Sequence, residues 1–152
     1  MRMLGLDIGD RRIGVALSDP TGMLAGALTV IQRKGGKADF QTILDLAAEH
    51  KVERIIVGLP RLMDGRLGAQ AEKTLAFVEE LSRLSPVPVE TFDERLSTSV
   101  AEQLLKEAGK KRREIKAKHD AAAAALILQW YLDERLGSSP HAVPEGYDLS
   151  AQ

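Results

Sequence analysis

The sequence contains no cysteine among its 152 residues. This absence excludes disulfide bonds, zinc sites built on thiolates and a cysteine nucleophile. No apolar run approaches the ~18 residues that a membrane-spanning helix requires. The amino-terminal residues lack the series of basic region, apolar core and cleavage site that marks a secretory signal. We therefore expect a cytoplasmic protein that has no membrane partner.

Neither sign of charge dominates, because 21 lysines and arginines face 22 aspartates and glutamates, giving a formal net charge of −1. The overall charge therefore gives no argument for a polyanionic partner. The basic residues are nevertheless concentrated between residues 106 and 118, where only Glu107 and Glu114 oppose them. Such a segment predicts local binding of polyanions, and its alternative is a solvated loop. The segment contains Lys106, Lys110, Lys111, Arg112, Arg113, Lys116 and Lys118.

Two nucleotide-binding signatures are also missing from the sequence. The glycines at positions 5, 9 and 14 do not have the dinucleotide-binding spacing, and no P-loop is present. The sequence Asp7-Ile8-Gly9 fits the Asp-x-Gly pattern that opens actin-like ATPases and sugar kinases, where it lies on a β-hairpin. Those proteins need two such domains that close on a nucleotide, and we expect 152 residues to be too few for that.

The hydropathy pattern predicts one domain over residues 1–136, followed by a polar tail over residues 137–152. It predicts strands over residues 3–8, 13–18, 24–32, 54–57 and 87–92, and helices over 38–50, 70–84, 99–108 and 116–135. This order predicts an α/β fold with a five-stranded mixed sheet flanked by helices. Three strands form an antiparallel meander, and right-handed crossovers join the parallel strands. In such sheets, functional sites form at the carboxyl ends of the strands.

Acidic residues occupy unusual places in this pattern. Asp7 lies near the end of a strand that reads as buried, Asp93 and Glu94 follow the last strand, and Asp120 opens the most apolar part of the last helix. A carboxylate among apolar residues must be paired, hydrogen-bonded or metal-bound. Carboxylates that converge at one sheet edge would bind hard cations such as Mg²⁺ or Mn²⁺. Two such ions would suit hydrolysis of a phosphodiester.

Each of these carboxylates also has a simpler interpretation. Asp7 could initiate the hairpin turn by accepting hydrogen bonds from backbone amides. Asp93 and Glu94 could belong to a solvated loop in which they pair with Arg95. Asp120 could cap the amino terminus of a helix or favour it electrostatically. Spacing alone does not show that the carboxylates converge.

Four motifs of the sequence resemble those of the YqgF (RuvX) family, in the same order and across about residues 1–136. The stretch over residues 93–98 is the most distinctive of them. The motifs are Leu6-Asp7-Ile8-Gly9 with Arg12-Ile13-Gly14-Val15-Ala16, then Val57-Gly58-Leu59-Pro60 with Asp64-Gly65, then Asp93-Glu94-Arg95-Leu96-Ser97-Thr98, and the helix from Asp120 to Gln129.

The resemblance implies a ribonuclease-H-like fold related to Holliday junction resolvases. It implies a divalent-metal nuclease site built from Asp7, Glu94 and Asp120, with Mg²⁺ or Mn²⁺ as the cofactor. Asp93 is a weaker candidate, because neighbouring residues at a strand end point to opposite faces. The implied partner is nucleic acid, either precursor 16S rRNA in ribosomal precursor particles or branched DNA. The apolar last helix offers a surface for a homodimer.

Cationic residues complete the predicted site. Arg11 and Arg12 lie on the turn beside Asp7, and Arg95 follows Glu94, so each could contact a substrate phosphate. The alternative for each is a surface ion pair. The basic segment could hold a nucleic-acid backbone, and the residues that we assign to this role are Lys110, Lys111, Arg112, Arg113, Lys116 and Lys118. A non-catalytic RNA-binding module for ribosome assembly remains the alternative to an enzyme.

Overall fold

The computed structural model describes residues 1–60, 67–93 and 112–135, and over residues 112–120 it describes the path of the backbone alone. Five strands and three helices lie in these ranges. In chain order they are β1 (Met3–Ile8), β2 (Arg12–Ser18), β3 (Ala25–Gln32), α1 (Lys37–Glu49), β4 (Arg54–Leu59), α2 (Ala69–Leu84), β5 (Val89–Asp93) and α3 (Arg112–Arg135).

The strands form one five-stranded mixed sheet in the order β3-β2-β1-β4-β5. Strands β1, β2 and β3 pair antiparallel, and β4 and β5 lie parallel to β1 and to each other. The predicted meander and the predicted fold class are therefore confirmed. Since β1, β4 and β5 run in the same direction, their carboxyl ends share one edge of the sheet. We call this edge the carboxyl edge.

Element boundaries differ from the predictions mainly at the last helix, which begins at Arg112 and not at residue 116. Arg112 and Arg113 of the basic segment are therefore helical, together with Lys116 and Lys118, which the prediction already placed in the helix. Arginine and glutamate, which supply three of the four added residues, are good helix formers, which accounts for the earlier start. The helix predicted over residues 99–108 and the tail after residue 136 lie outside the described residues.

Two layers of helices cover the sheet. Helices α1 and α2 cover one face, where Leu6 and Ile55 pack with Ile43 and Leu81. Helix α3 covers the other face. In this layer, Ile127, Leu128 and Leu132 of the helix pack with Met3 and Ile56 of the sheet. Full burial of such a side chain contributes roughly 1.5–3 kcal/mol, so each layer is held mainly by its apolar contacts. No helix among the described residues is long and apolar enough to span a membrane.

The alternation of β1 determines which way its carboxylate faces. Leu4, Leu6 and Ile8 belong to the core under α1 and α2. Met3 belongs to the core under α3. Because successive side chains of a strand point to opposite faces, Asp7 lies on the α3 face.

Helix α3 lies unusually close to β1 at Gly5. A Cβ atom at this position would be 2.9 Å from the Leu128 Cβ atom and 3.2 Å from the Ala124 carbonyl oxygen. Only a residue without a side chain allows this approach. Gly5 thus sets the distance between the strand that carries Asp7 and the helix that carries Asp120.

Polar side chains fix α3 along the sheet. Gln129 is only 4% exposed. It accepts a hydrogen bond from Ala25 N–H at 2.8 Å and donates to the Met23 carbonyl at 3.0 Å. At the amino ends of β4 and β5, the Tyr131 hydroxyl donates to Glu90 at 2.7 Å. Trp130 is 3% exposed. The aromatic residues of α3 therefore pack within the chain.

Candidate active site

Asp7 is half-buried near the end of β1, on the α3 face. Its partner in the register of β2 is Gly14. On the other side, Leu6 pairs with Val57 of β4, so Gly58 is the next residue of β4 beside Asp7. The two flanking positions therefore carry no side chain to cover the carboxylate. The sequence motifs contain both glycines, but the role of Gly58 follows only from the pairing of the strands.

Position 120 lies near Asp7 because of the direction of α3. Ala124 contacts the sheet above Gly5, and Tyr131 lies at the opposite edge, beside Glu90. The helix therefore runs antiparallel to β1. Four residues before Ala124, at a rise of 1.5 Å per residue, the helix has advanced about 6 Å towards the carboxyl edge.

One alternative interpretation of Asp120 is wrong. Helix α3 begins at Arg112, so Asp120 lies more than two turns inside the helix. A residue at that depth is not an N-cap, and the favourable field of a helix terminus extends only over the first turn.

The last two residues of β5, Phe92 and Asp93, lie on opposite faces of the sheet. Phe92 packs in the core under α3. Val89 packs against the core under α1 and α2. By alternation, Asp93, which pairs with Leu59, lies on the face of α1 and α2 and not on the face of Asp7. Glu94 and Arg95 lie outside the described residues.

The β1–β2 turn, residues 9–11, follows Asp7 and carries one of the two predicted phosphate-binding arginines. Gly9 N–H donates to the Arg12 carbonyl at 2.8 Å and closes the turn. A Cβ atom at Gly9 would lie 2.7 Å from that same oxygen, so the close turn requires glycine. Arg11 is exposed, and Arg12 is half-buried at the first position of β2. Both arginines thus lie next to the strand end that holds Asp7.

Side chains that sequence reasoning missed support this turn from outside it. The Arg33 guanidinium donates to the Gly9 carbonyl at 2.8 Å. Gln70, in the first turn of α2, donates to the Ile8 carbonyl at 3.3 Å. Lys73 forms an exposed ion pair with Asp10 at 3.6 Å. No local motif marks these residues, because their partners are distant in sequence.

Asp39 anchors Arg33. The Asp39 side chain is 2% exposed and accepts hydrogen bonds from Lys34 N–H at 2.9 Å and Gly35 N–H at 3.1 Å. Its other contact is the Arg33 Nε at 3.2 Å. Burial raises the pKa of Asp39, but these hydrogen bonds and the charge of Arg33 outweigh it, so the pKa lies below its ordinary value.

The lowered pKa of Asp39 predicts a stability that depends on pH. The contribution of this carboxylate is complete above its unfolded pKa of about 3.9 and is lost as the pH falls through the lower, folded pKa. Near neutral pH we expect Asp39→Asn to lower the free energy of unfolding by about 2 kcal/mol. The difference in Tm between wild type and variant should narrow at acid pH. The control is Asp45→Asn, which alters an exposed carboxylate bonded to Gln41. A difference that is constant with pH would contradict the assignment.

The remaining predicted residues are placed only in part. The backbone of Arg112, Arg113, Lys116 and Lys118 belongs to the first turns of α3. Lys110 and Lys111 lie outside the described residues. Within residues 1–60, 67–93 and 121–135, no three His, Asp or Glu side chains form a group suited to a metal ion. Two of the three expected ligands, Glu94 and Asp120, fall outside that part of the chain.

Comparison with solved structures identifies the class of fold. RuvC of Thermus thermophilus in complex with a Holliday junction substrate has a TM-score of 0.54, with 18% identity, over 92% of this chain and 99% of that one. The fowlpox virus resolvase in complex with Holliday junction DNA has a TM-score of 0.54, with 15% identity, over 90% and 99%. The fold is therefore the ribonuclease-H-like fold of these resolvases.

Sequence comparison identifies the family. The model of the RuvX family, described as Holliday junction resolvase, matches residues 1–134. The chain therefore belongs to the RuvX family. Relatives from Desulforamulus reducens and Halothermothrix orenii are 48% and 50% identical over 133 residues, which is 88% of this chain and 97% and 95% of theirs. A relative from Symbiobacterium thermophilum is 46% identical over 93% of this chain and 99% of its own. All three are named as pre-16S rRNA nucleases.

Proposed function

We propose that this protein is an endonuclease that hydrolyses phosphodiester bonds of structured nucleic acid in the processing of precursor 16S rRNA. The observation that carries the proposal is the placement of Asp7. It is half-buried at the carboxyl edge on the α3 face, between two glycines, and position 120 of α3 lies about one helical turn beyond the contact at Gly5. The names of the relatives support the choice of substrate.

The residues at this edge fit a divalent cation. Asp7 supplies a carboxylate with no side chain on either flanking strand position, and hard cations prefer such oxygen ligands. We assign Asp7, Glu94 and Asp120 as the ligands of Mg²⁺ or Mn²⁺. Glu94 stands an even number of residues after Glu90 and Phe92, the β5 residues that contact α3, whereas Asp93 stands an odd number after them. This spacing favours Glu94 over Asp93 as a ligand. A bound divalent cation would supply Lewis-acid stabilisation of the charge on the phosphate.

The basic residues bind and orient the substrate in this proposal. Arg11 and Arg12 hold phosphates next to the scissile bond, and Arg95 does so from the other side of the site. The guanidinium group suits this role because its planar fork donates two hydrogen bonds to one phosphate. The basic segment holds the nucleic-acid backbone farther from the site and contributes affinity through release of counterions.

Branched DNA is the second candidate substrate. The description of the family model supports it. The resolvase structures show a similar fold, which accommodates four-way junctions in those proteins. We further propose that the protein acts in the cytoplasm on ribosomal precursor particles. The homodimer that we expected through α3 has less support, because Leu126, Ile127 and Trp130 of that helix are already buried within one chain.

Cleavage assays on two labelled substrates test the proposal: an RNA spanning the end of precursor 16S rRNA, and a four-way DNA junction. We expect wild-type protein to cut the RNA with Mg²⁺ or Mn²⁺, and to lose this activity in EDTA, because the carboxylates alone do not supply the Lewis acid. Cutting of the junction alone would show that the same site acts on branched DNA and not on RNA. Tight RNA binding without metal-dependent cleavage of either substrate would contradict the enzyme and favour a ribosome-assembly module.

A further inference from the structure

Arg33 connects the β1–β2 turn to the body of the protein. It follows β3 directly. Its backbone N–H donates to the Arg11 carbonyl at 2.8 Å, and its Nη1 donates to the Gly9 carbonyl at 2.8 Å. One residue therefore holds two of the three residues of the turn. The contact with Gly9 depends on the guanidinium group, whereas the contact with Arg11 survives any substitution that keeps the backbone N–H.

Two helices fix the guanidinium group of Arg33. From α1, the buried Asp39 carboxylate accepts the Nε–H at 3.2 Å. From α2, the ring of Phe77 lies with its centroid 5.2 Å from the guanidinium carbon, a favourable cation–π distance. Gly35 and Gly36, both at positive φ, let the loop before α1 bring Asp39 back to Arg33. Arg33 is therefore held in one orientation before any ligand binds.

The supported turn follows the carboxylate of the proposed site, carries Arg11 and leads into Arg12. Gly9 is two residues after Asp7 and two residues before Arg11. The strands β1 and β2 are already paired as far as Ile8 and Ile13, so the guanidinium adds nothing to that ladder. Its contact acts on the path of the backbone in the turn beyond that ladder, which carries Arg11 and leads into Arg12, the first residue of β2.

We propose that Arg33 is a positioning residue for substrate binding: by holding the Gly9 carbonyl, it orients the turn that carries Arg11 and leads into Arg12 towards the phosphates of the nucleic acid. The inference rests on the proposed function. A pre-oriented turn loses less conformational entropy on binding, and small displacements of a binding group weaken binding strongly. The effect should therefore appear in affinity and in KM more than in kcat.

Binding of the two labelled nucleic acids to the full-length protein tests this, by fluorescence anisotropy in EDTA over a range of salt concentrations. We expect Arg33→Gln to weaken binding by about 10-fold and to reduce the slope of log K against log salt concentration by about 1–2, because each lost phosphate contact removes nearly one unit of slope. KM should rise similarly, with kcat changed less than about threefold. Arg33→Lys keeps the charge without the planar fork, so its affinity should lie between those of wild type and Arg33→Gln.

The matched control is Arg83→Gln. Arg83 is 63% exposed on α2 and pairs with Glu79 and Glu80, so the same change there should leave affinity and slope unchanged. Asp39→Asn provides a second variant that removes the anchor and not the arginine. Asp39→Asn should weaken binding and reduce the salt slope, as Arg33→Gln does.

The possible outcomes separate the two proposals. A folded Arg33→Gln or Asp39→Asn protein with wild-type affinity and slope, whatever its Tm, would show that Arg33 only stabilises the fold and would overturn the inference alone. Wild-type protein that binds neither probe would overturn the proposed function, and the inference with it.

Discussion

Replacing Asp7 by Asn is expected to lower kcat for phosphodiester cleavage by at least about 1,000-fold, which is about 4 kcal/mol of transition-state stabilisation. The substitution removes the negative charge that we propose as a ligand of the divalent cation, and it changes the side-chain volume little. Asp7 is half-buried at the end of β1, and the register places Gly14 opposite it. The change therefore creates no cavity and no overlap, and Tm should stay within a few degrees of wild type. Single-turnover cleavage and thermal unfolding measure the two effects.

Asp10→Asn is the matched control for this experiment. Asp10 is an exposed carboxylate three residues further along the chain, and its ion pair with Lys73 is exposed too. Such pairs contribute less than about 1 kcal/mol. We expect Asp10→Asn to cleave at nearly the wild-type rate. Wild-type activity in the Asp7→Asn protein would show that cleavage does not depend on this carboxylate and would contradict the proposed site.

Gly5→Ala is expected to reduce both stability and activity, although Gly5 touches no substrate. The added methyl group would lie 2.9 Å from the Leu128 Cβ atom and 3.2 Å from the Ala124 carbonyl oxygen. Neither atom is the free end of a flexible side chain, so the helix itself must move. Overpacking of this kind costs about 1–3 kcal/mol. A shift of α3 also displaces position 120 from Asp7, for which we expect kcat to fall about 10-fold or more.

Gly26→Ala provides the control for the glycine substitution. Gly26 lies in the same sheet, on β3, and a Cβ atom there has no neighbouring heavy atom within 4 Å. The same change at Gly26 should alter the free energy of unfolding by less than about 0.5 kcal/mol, and it should leave cleavage unchanged. Equal effects at Gly5 and Gly26 would contradict the close packing of α3 on β1.

The fold could be predicted from the sequence because its elements carry strong local patterns. The buried run of β1, the turn after Ile8 and the helical spacing around Ile43 each have a local physical cause. The sequence pattern marks a boundary poorly where charged residues replace apolar ones. The pattern predicts the start of α3 four residues late, because residues 112–114 are charged and do not extend an apolar pattern, although arginine and glutamate favour a helix.

The candidate site could be predicted only where a residue contradicts its local surroundings. Asp7 stands out as a carboxylate in an apolar strand, and Gly5 in a strand interior indicates a close approach of another backbone. The pattern of the sequence does not mark Arg33, Asp39 or Gln70, because an arginine, an aspartate or a glutamine near a helix start is ordinary. Their importance comes from contacts with residues distant in the chain, which only the three-dimensional structure supplies.

The central claim is that carboxylates from β1, from the residue after β5 and from α3 form one divalent-cation site. The most direct test is a calorimetric titration of Mn²⁺ into wild-type protein and four single variants: Asp7→Asn, Glu94→Gln, Asp120→Asn and Asp93→Asn. The account predicts that the first three variants each weaken Mn²⁺ binding by at least about 10-fold, since each removes one charged ligand, and that Asp93→Asn binds like wild type. Unchanged binding in Asp7→Asn or Asp120→Asn would contradict a site shared by the strand and the helix.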